Sequence, residues 1–248
     1  MARFFNWSGK DVLDAGCGIA TDGINFARAG ASYTGIDFSP SALSLAERRF
    51  NLEGKSGRFV AGSIVELPFD DGAFDLVYSN GVIHHLQETE QAVSEMHRVL
   101  RPGGVAIVMV YHRDSLNYRF TVMLLRRALV GLLLVPGMAT VAARVTGERS
   151  SVLEGQRNLL QAHGLRYLLD RQLFLSNNTD GPGNPLSKVY SRRDAYELFS
   201  AFRDVRLNTR FLNLRIYPGG DVVARMRPAR KLEQHIGWHL WIEAYKHQ

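Results

Sequence analysis

Over roughly the first 111 residues, short apolar runs alternate with longer segments whose apolar positions recur at helical spacing. DVLDAG (from Asp11), SYTGIDFS (from Ser32), GRFVAGS (from Gly57), FDLVYSNGVIHHL (from Phe74) and VAIVMVYH (from Val105) read as five strands. Between them, TDGINFARAG reads as a helix that starts at Thr21 or Asp22 and stops at Gly30. SPSALSLAERRFNLEG carries Ser39 as N-cap with Pro40 at the first helical position, and ETEQAVSEMHRVLRPGG is closed by Pro102, Gly103 and Gly104. Apolar strands separated by helices predict right-handed crossovers and a parallel sheet covered on both faces. Ligands of such sheets lie beyond the carboxyl ends of the strands. That rule singles out Asp14 to Asp22, Asp37 to Ser39, Gly62 to Ile64, Ser79 to His85 and Tyr111 to Asn117.

The second half is less regular. Arg119 to Leu175 reads as two or three helices, one of them EGQRNLLQAHGLRYLLDRQLF, followed by SNNTDGPGNPLSKVYS as a structured loop or lid. SRRDAYELFSAF is a helix with Ser191 as N-cap; VRLNTRFLNLRIY and GWHLWIEAYK read as an antiparallel pair at the sheet edge. The expected organisation is a core over 1–112, a helical insertion or lid over 113–190 that shapes a ligand pocket, and a return to the core sheet over 191–248.

Composition narrows this picture. The 248 residues are 46% hydrophobic, enough for a buried core, and the net charge is +6. The basic residues are scattered apart from short pairs such as Arg48-Arg49 and Arg192-Arg193, which argues against a nucleic-acid surface. Cys17 is the only cysteine, so neither an internal disulfide nor a cysteine pair for a metal exists, and no metal-ligand constellation is visible. A reducing, cytoplasmic setting is expected, since Met1 to Lys10 holds no apolar stretch of signal-peptide length. The most apolar window, Phe120 to Val145, is interrupted by Arg126-Arg127 and Pro136-Gly137, so no uninterrupted run approaches the ~20 residues of a bilayer-spanning helix. Three readings of it stay open: packing on the core, lining a pocket for an apolar acceptor, or peripheral contact with a membrane.

The turn VLDAGCGIATD (Val12 to Asp22) leads from a strand through glycines into a helix. Its glycines allow close backbone approach, and the helix start offers free amides. It lacks the Lys-Ser/Thr of a phosphate loop, and Thr21 stands where a dinucleotide fingerprint has its third Gly or Ala. Asp14, two residues before Gly16, would favour a ligand with an ammonium group, and Asp37 at the end of the second strand is placed to accept from ribose hydroxyls.

VLDAGCGIA, YTGIDFS, VAGSIVELPFDDGAFDLVYSNGVIHHL and HRVLRPGG, in this order, resemble the class I S-adenosylmethionine-dependent methyltransferases, and the small-molecule quinone-type group among them. The resemblance covers Asp11 to Tyr111 and the two final strands. It implies a Rossmann-like, doubly wound α/β fold with a seven-stranded, mostly parallel sheet, an antiparallel edge strand and a helical insertion after the fifth strand. It further implies S-adenosyl-L-methionine as cofactor. Gly16 and Gly18 would pass beneath it and Asp14 would sit near its amino-acid end. Asp37 would hold the ribose, Phe38 would flank the adenine, Ser63 and Ile64 would touch the adenine edge, and Asn80 with Gly81 would meet the methionine portion. Ala20 and Ser63 depart from the residues most common in that family.

Methyl transfer from a sulfonium mainly requires alignment, with a base where the acceptor is a hydroxyl. His112, after the fifth strand, is the first candidate base and His85 the second. The expected reaction is methylation of a small, largely apolar metabolite, O-methylation favoured over N- or C-methylation. A catalytically silent module keeping the same fold is the alternative.

Overall fold

The computed structural model describes residues 4–212, 214 and 227–247. The chain divides into two compact units, one of residues 1–110, 190–208 and 239–248, the other of residues 111–189 and 209–238. The described residues 209–212, 214 and 227–238, grouped with the core sheet on sequence grounds, fall in the helical unit.

The first unit is built on a seven-stranded sheet in the order β3-β2-β1-β4-β5-β7-β6. Its strands are β1 (Asp11–Ala15), β2 (Ser32–Asp37), β3 (Arg58–Ala61), β4 (Phe74–Asn80), β5 (Leu100–Tyr111), β6 (Val205–Arg210) and β7 (His239–Tyr245). β1 pairs in parallel with β2 and β4, β2 with β3, and β4 with β5. β7 runs against β5, with Lys246 N donating to Gly104 O and Gly103 N to His247 O, and against β6, with Arg203 N donating to Tyr245 O. The edge is thus antiparallel as expected. β6 stops at Arg210, and most of the remainder of that expected strand, to Tyr217, lies outside the described residues.

The helices α1 (Gly23–Arg28), α2 (Pro40–Leu52), α3 (Thr89–Val99) and α9 (Arg192–Leu198) complete this unit. Ser39 caps α2 through Ala42 N, and Ser191 forms a reciprocal capping box with Asp194 on α9. The strict alternation of β1 divides the core. Leu13 and Ala15 join one cluster with Val77, Met96, Val108 and Phe199, while Val12 joins the other with Phe26, Phe50 and Tyr78. β1 is buried on both faces, so it holds the glycine turn that follows it in a fixed position.

In the second unit, a π-helix (Asn117–Arg126) runs into α4 (Arg127–Leu132), followed by α5 (Met138–Thr146), α6 (Ser150–His163), α7 (Leu165–Leu169), α8 (Arg171–Thr179) and α10 (Arg227–Ile236). Where one long helix was expected from Glu154 to Phe174, three form. Gly164 turns the chain with φ of 59°, and Asp170 caps α8 through Leu173 N. Val122, Val130 and Phe174 pack inward with Tyr118 and Tyr167. Leu124, Leu132, Leu134, Val135 and Val145 of the apolar window stay exposed. No helix among the described residues is long and apolar enough to cross a membrane.

Candidate functional site: a carboxylate-lined glycine turn

The residues expected at a ligand lie at the carboxyl ends of β1, β2, β3 and β4, within the first unit. Gly16 and Gly18 take φ of 81° and 51°, and Ala20 follows with 52°. The left-handed conformation at Ala20 costs a non-glycine residue about 1 kcal/mol, a strain held by its complete burial. The two glycines differ in kind. A Cβ on Gly16 would stand 2.5 Å from Val82 Cγ1, whereas a Cβ on Gly18 would meet nothing within 4 Å. Gly16 is therefore a packing glycine, and Gly18 presents an open backbone face.

Asp37 anchors this turn to the end of β2. Gly18 N donates to its Oδ2 at 2.8 Å and Ser39 N to its Oδ1 at 3.0 Å. A carboxylate has about four acceptor positions, so two contacts leave capacity for ribose hydroxyls. Beside it Phe38 is 85% exposed, an unpartnered ring at the strand end, while Ile64 is buried and Ser63 is exposed with Oγ accepting from Val65 N.

Asp14 is only 4% exposed and accepts from Tyr33 Oη at 2.9 Å. Burial raises its pKa to about 7, the Tyr33 hydrogen bond opposes this, and the nearby Asp22 and Asp37 carboxylates push it further up. It acts from beneath the turn instead of facing solvent. Burial, with Asp14 and Asp37 adding to it, pushes the Cys17 thiol up to about 12, so Cys17 is a space-filling thiol and not a nucleophile. Asp22 stands just before α1, where the helix was expected to start at Thr21 or Asp22, and its side chain makes no cap bond. Instead its Oδ2 accepts from Tyr78 Oη at 2.7 Å and from Asn80 Nδ2 at 2.9 Å. Asn80 and its neighbour Gly81 are thereby fixed at the end of β4. Tyr33 and Tyr78 are site residues that the sequence did not single out; their pairings join positions far apart in the chain and leave no local pattern.

The histidines separate clearly. Val82 opens a single turn, Ile83–His85, where a continued strand was expected. His84 is fully buried, its pKa driven down to about 3, mainly by burial, so its ring is neutral at neutral pH. His85 packs against it with a tilted ring, 4.2 Å between centroids, and remains partly exposed. The expectation that His112 presents a base at an open strand end is corrected. His112 is 1% exposed, its Nδ1 lies 3.0 Å from Gly237 O, and its backbone N donates to Trp238 O. It ties the end of β5 to the segment before β7 inside the second unit.

Asp14, Asp22 and Asp37 gather around an open glycine face, and among the described residues none has a lysine or arginine partner. Uncompensated negative charge beside an exposed aromatic ring suits a ligand carrying a ribose, an ammonium and a sulfonium and repels a phosphate. Strand order, turn and carboxylates together define the class I S-adenosylmethionine-dependent methyltransferase fold.

The comparisons agree. Residues 13–108 match the family model described as Methyltransferase domain. An uncharacterised methyltransferase of Synechocystis is 35% identical over 114 residues, 45% of this chain and 51% of that protein. Demethylmenaquinone methyltransferase of Thermus thermophilus is 38% identical over 82 residues, 33% of this chain and 37% of its own. The chain thus spans about half, or less, of the length of these curated relatives. A solved S-adenosylmethionine-dependent methyltransferase from Methanosarcina mazei shares the fold over 98% of this chain and 95% of its own, with a TM-score of 0.59 at 16% identity. Residues 13–108 therefore match a methyltransferase domain, and the fold is that of the solved S-adenosylmethionine-dependent methyltransferase.

Proposed function

We propose that the chain is an S-adenosylmethionine-dependent methyltransferase that methylates a small acceptor with a largely apolar body, a hydroxyl being the favoured acceptor group. The observation that carries this reading is the set of three carboxylates without basic partners around the open face of Gly18. When bound, the cofactor supplies an electrophilic methyl group on its sulfonium. The chain's own residues bind and orient. Gly16 and Gly18 let the backbone pass beneath the ligand, Asp37 accepts from the ribose hydroxyls, and Phe38 with Ile64 and Ser63 bounds the adenine. Asn80 and Gly81 position the methionine end, and Asp14 lends negative charge from below. His85, partly exposed beside the neutral His84, is the residue we assign to take the proton of a hydroxyl acceptor. Support for a small apolar acceptor comes from the similarity to a demethylmenaquinone methyltransferase.

The test is calorimetric titration with S-adenosylmethionine and S-adenosylhomocysteine, then transfer of labelled methyl to a panel of apolar phenols, quinols and amines. Micromolar binding that Asp37→Ala weakens at least tenfold is expected, because charge-assisted hydrogen bonds to the ribose would be lost. Absence of binding to either compound, or full affinity in Asp37→Ala, overturns the reading.

A further inference from the structure

The helical unit carries most of the chain's excess charge. Between Tyr111 and Val189 ten Lys and Arg residues face five Asp and Glu, so five of the six net positive charges fall in this segment. Four of those arginines meet in one place. Arg113, Arg119, Arg127 and Arg171, with Tyr118 and Met123, line a cleft of about 450 Å³ within the second unit.

Arginines at a protein surface normally find carboxylates or open water, and one of these has neither in full. Arg127 Nε and Nη2 are buried without a hydrogen-bond partner among the described residues, while its guanidinium packs 5.1 Å from the centre of the Phe174 ring. Leaving such donors buried and unmade is costly unless something supplies an acceptor. Arg171 is held by Tyr118, donating from Nη2 to its hydroxyl at 2.9 Å, and has no carboxylate partner among the described residues. Arg119 is paired with Asp114. The backbone adds a second observation. Tyr118, Arg119 and Met123 lie on a ten-residue π-helix, a rare and unfavourable form that concentrates at functional positions. It delivers Arg127, the first residue of α4, into the cleft alongside them.

We propose that this cleft binds the phosphate group of a phosphate-bearing ligand. A planar carboxylate is satisfied by one guanidinium fork, whereas a tetrahedral dianion offers acceptor oxygens to several guanidiniums at once and matches the excess charge. Met123 is the one apolar wall, so the cleft recognises the anionic group and leaves the rest of the ligand outside. The inference does not depend on methyl transfer.

The experiment is thermal and calorimetric titration of the full chain with inorganic phosphate and pyrophosphate against potassium chloride at equal ionic strength. Arg127→Gln and Arg171→Gln are compared with the wild type. Saturable binding beyond the chloride control, weakened about tenfold or more in each variant, is expected. Because Arg127 packs on Phe174, its variant could fold poorly; the exposed Arg171 keeps the test decisive. A parallel arm uses glycerol 3-phosphate and phosphatidylcholine vesicles with and without phosphatidic acid. The neighbouring Phe120 and Leu124 are exposed, so a lipid headgroup is one source of the phosphate. Vesicle binding lost in Arg171→Gln assigns a lipid headgroup, and binding of the soluble ester alone assigns a free phosphate ester. No phosphate-specific response, or an equal response in wild type and Arg171→Gln, overturns the proposal.

Discussion

Asp14→Asn isolates the charge beneath the glycine turn. Asp14 is almost completely buried and ionises only near pH 7, against an ordinary value of 3.8. Because the folded pKa is raised, the folded state holds more protons than the unfolded chain between those two values. Stability therefore falls as pH rises through that window and levels off above about pH 7. Each unit of displacement corresponds to about 1.4 kcal/mol, so the ionised carboxylate costs the ligand-free fold up to ~4 kcal/mol at pH 8 and nothing near pH 4. The asparagine oxygen still accepts from Tyr33 and carries no charge. The variant should melt higher than wild type at pH 8, by up to roughly 10 °C for a chain of this size, and the gain should vanish toward pH 4. Scanning fluorimetry across pH measures it. The same reasoning reaches the cofactor. A cation at the turn favours ionised Asp14, so binding of S-adenosylmethionine near pH 6.5 should release protons, seen as a dependence of binding heat on buffer ionisation enthalpy. A variant that melts lower at every pH, or wild-type binding without proton release, refutes the assignment of an uncompensated buried charge at Asp14.

The two glycines should part company. Gly18→Ala places its methyl in open space at φ of 51°, costing about 1 kcal/mol of stability while cutting cofactor affinity at least tenfold; Gly16→Ala collides with Val82 and should lose several kcal/mol by denaturant unfolding. Equal losses of stability in both would contradict the division between packing and ligand-facing glycine. His112→Gln should lower the melting temperature by several degrees with cofactor affinity kept, since it removes a buried tie to Gly237, whereas His85→Gln should leave stability nearly unchanged and slow transfer to hydroxyl acceptors. An unchanged transfer rate in His85→Gln removes it as the base.

Much of this site was legible because its signals are local. Buried strands, the Ser39 cap before Pro40, the cap at Ser191, and the spacing from Asp14 through Gly16 to Asp37 all lie within a few residues or one crossover unit. The misreadings have a shared cause. His112 was expected in the open because it follows a strand, yet its partner carbonyl belongs to Gly237, 125 residues away. Asp22 has a cap residue's sequence position but is taken by Tyr78 and Asn80, 56 and 58 residues on. In Glu154 to Phe174 the apolar period persists through Gly164 and Asp170, so periodicity alone runs three helices into one. Helix α10 was missed although it holds a proline at its second position followed by good helix formers, a local signal outweighed by the strand-like residues around it.

The two units place opposite charge at their candidate sites, and this gives a discriminating experiment. The core site is held negative by Asp14, Asp22 and Asp37, although the chain as a whole is net positive. S-adenosylmethionine carries one positive charge more than S-adenosylhomocysteine, and its sulfonium gains from those carboxylates where the thioether does not. Added salt screens exposed charges over about 8 Å at physiological strength. Affinity for S-adenosylmethionine should therefore fall more steeply with potassium chloride than affinity for S-adenosylhomocysteine. In Asp14→Asn the two slopes should converge. Parallel slopes in the wild type would mean that the carboxylates serve only the turn's own backbone, as Asp37 does for Gly18 and Ser39, and that cofactor recognition rests on shape and the Phe38 ring.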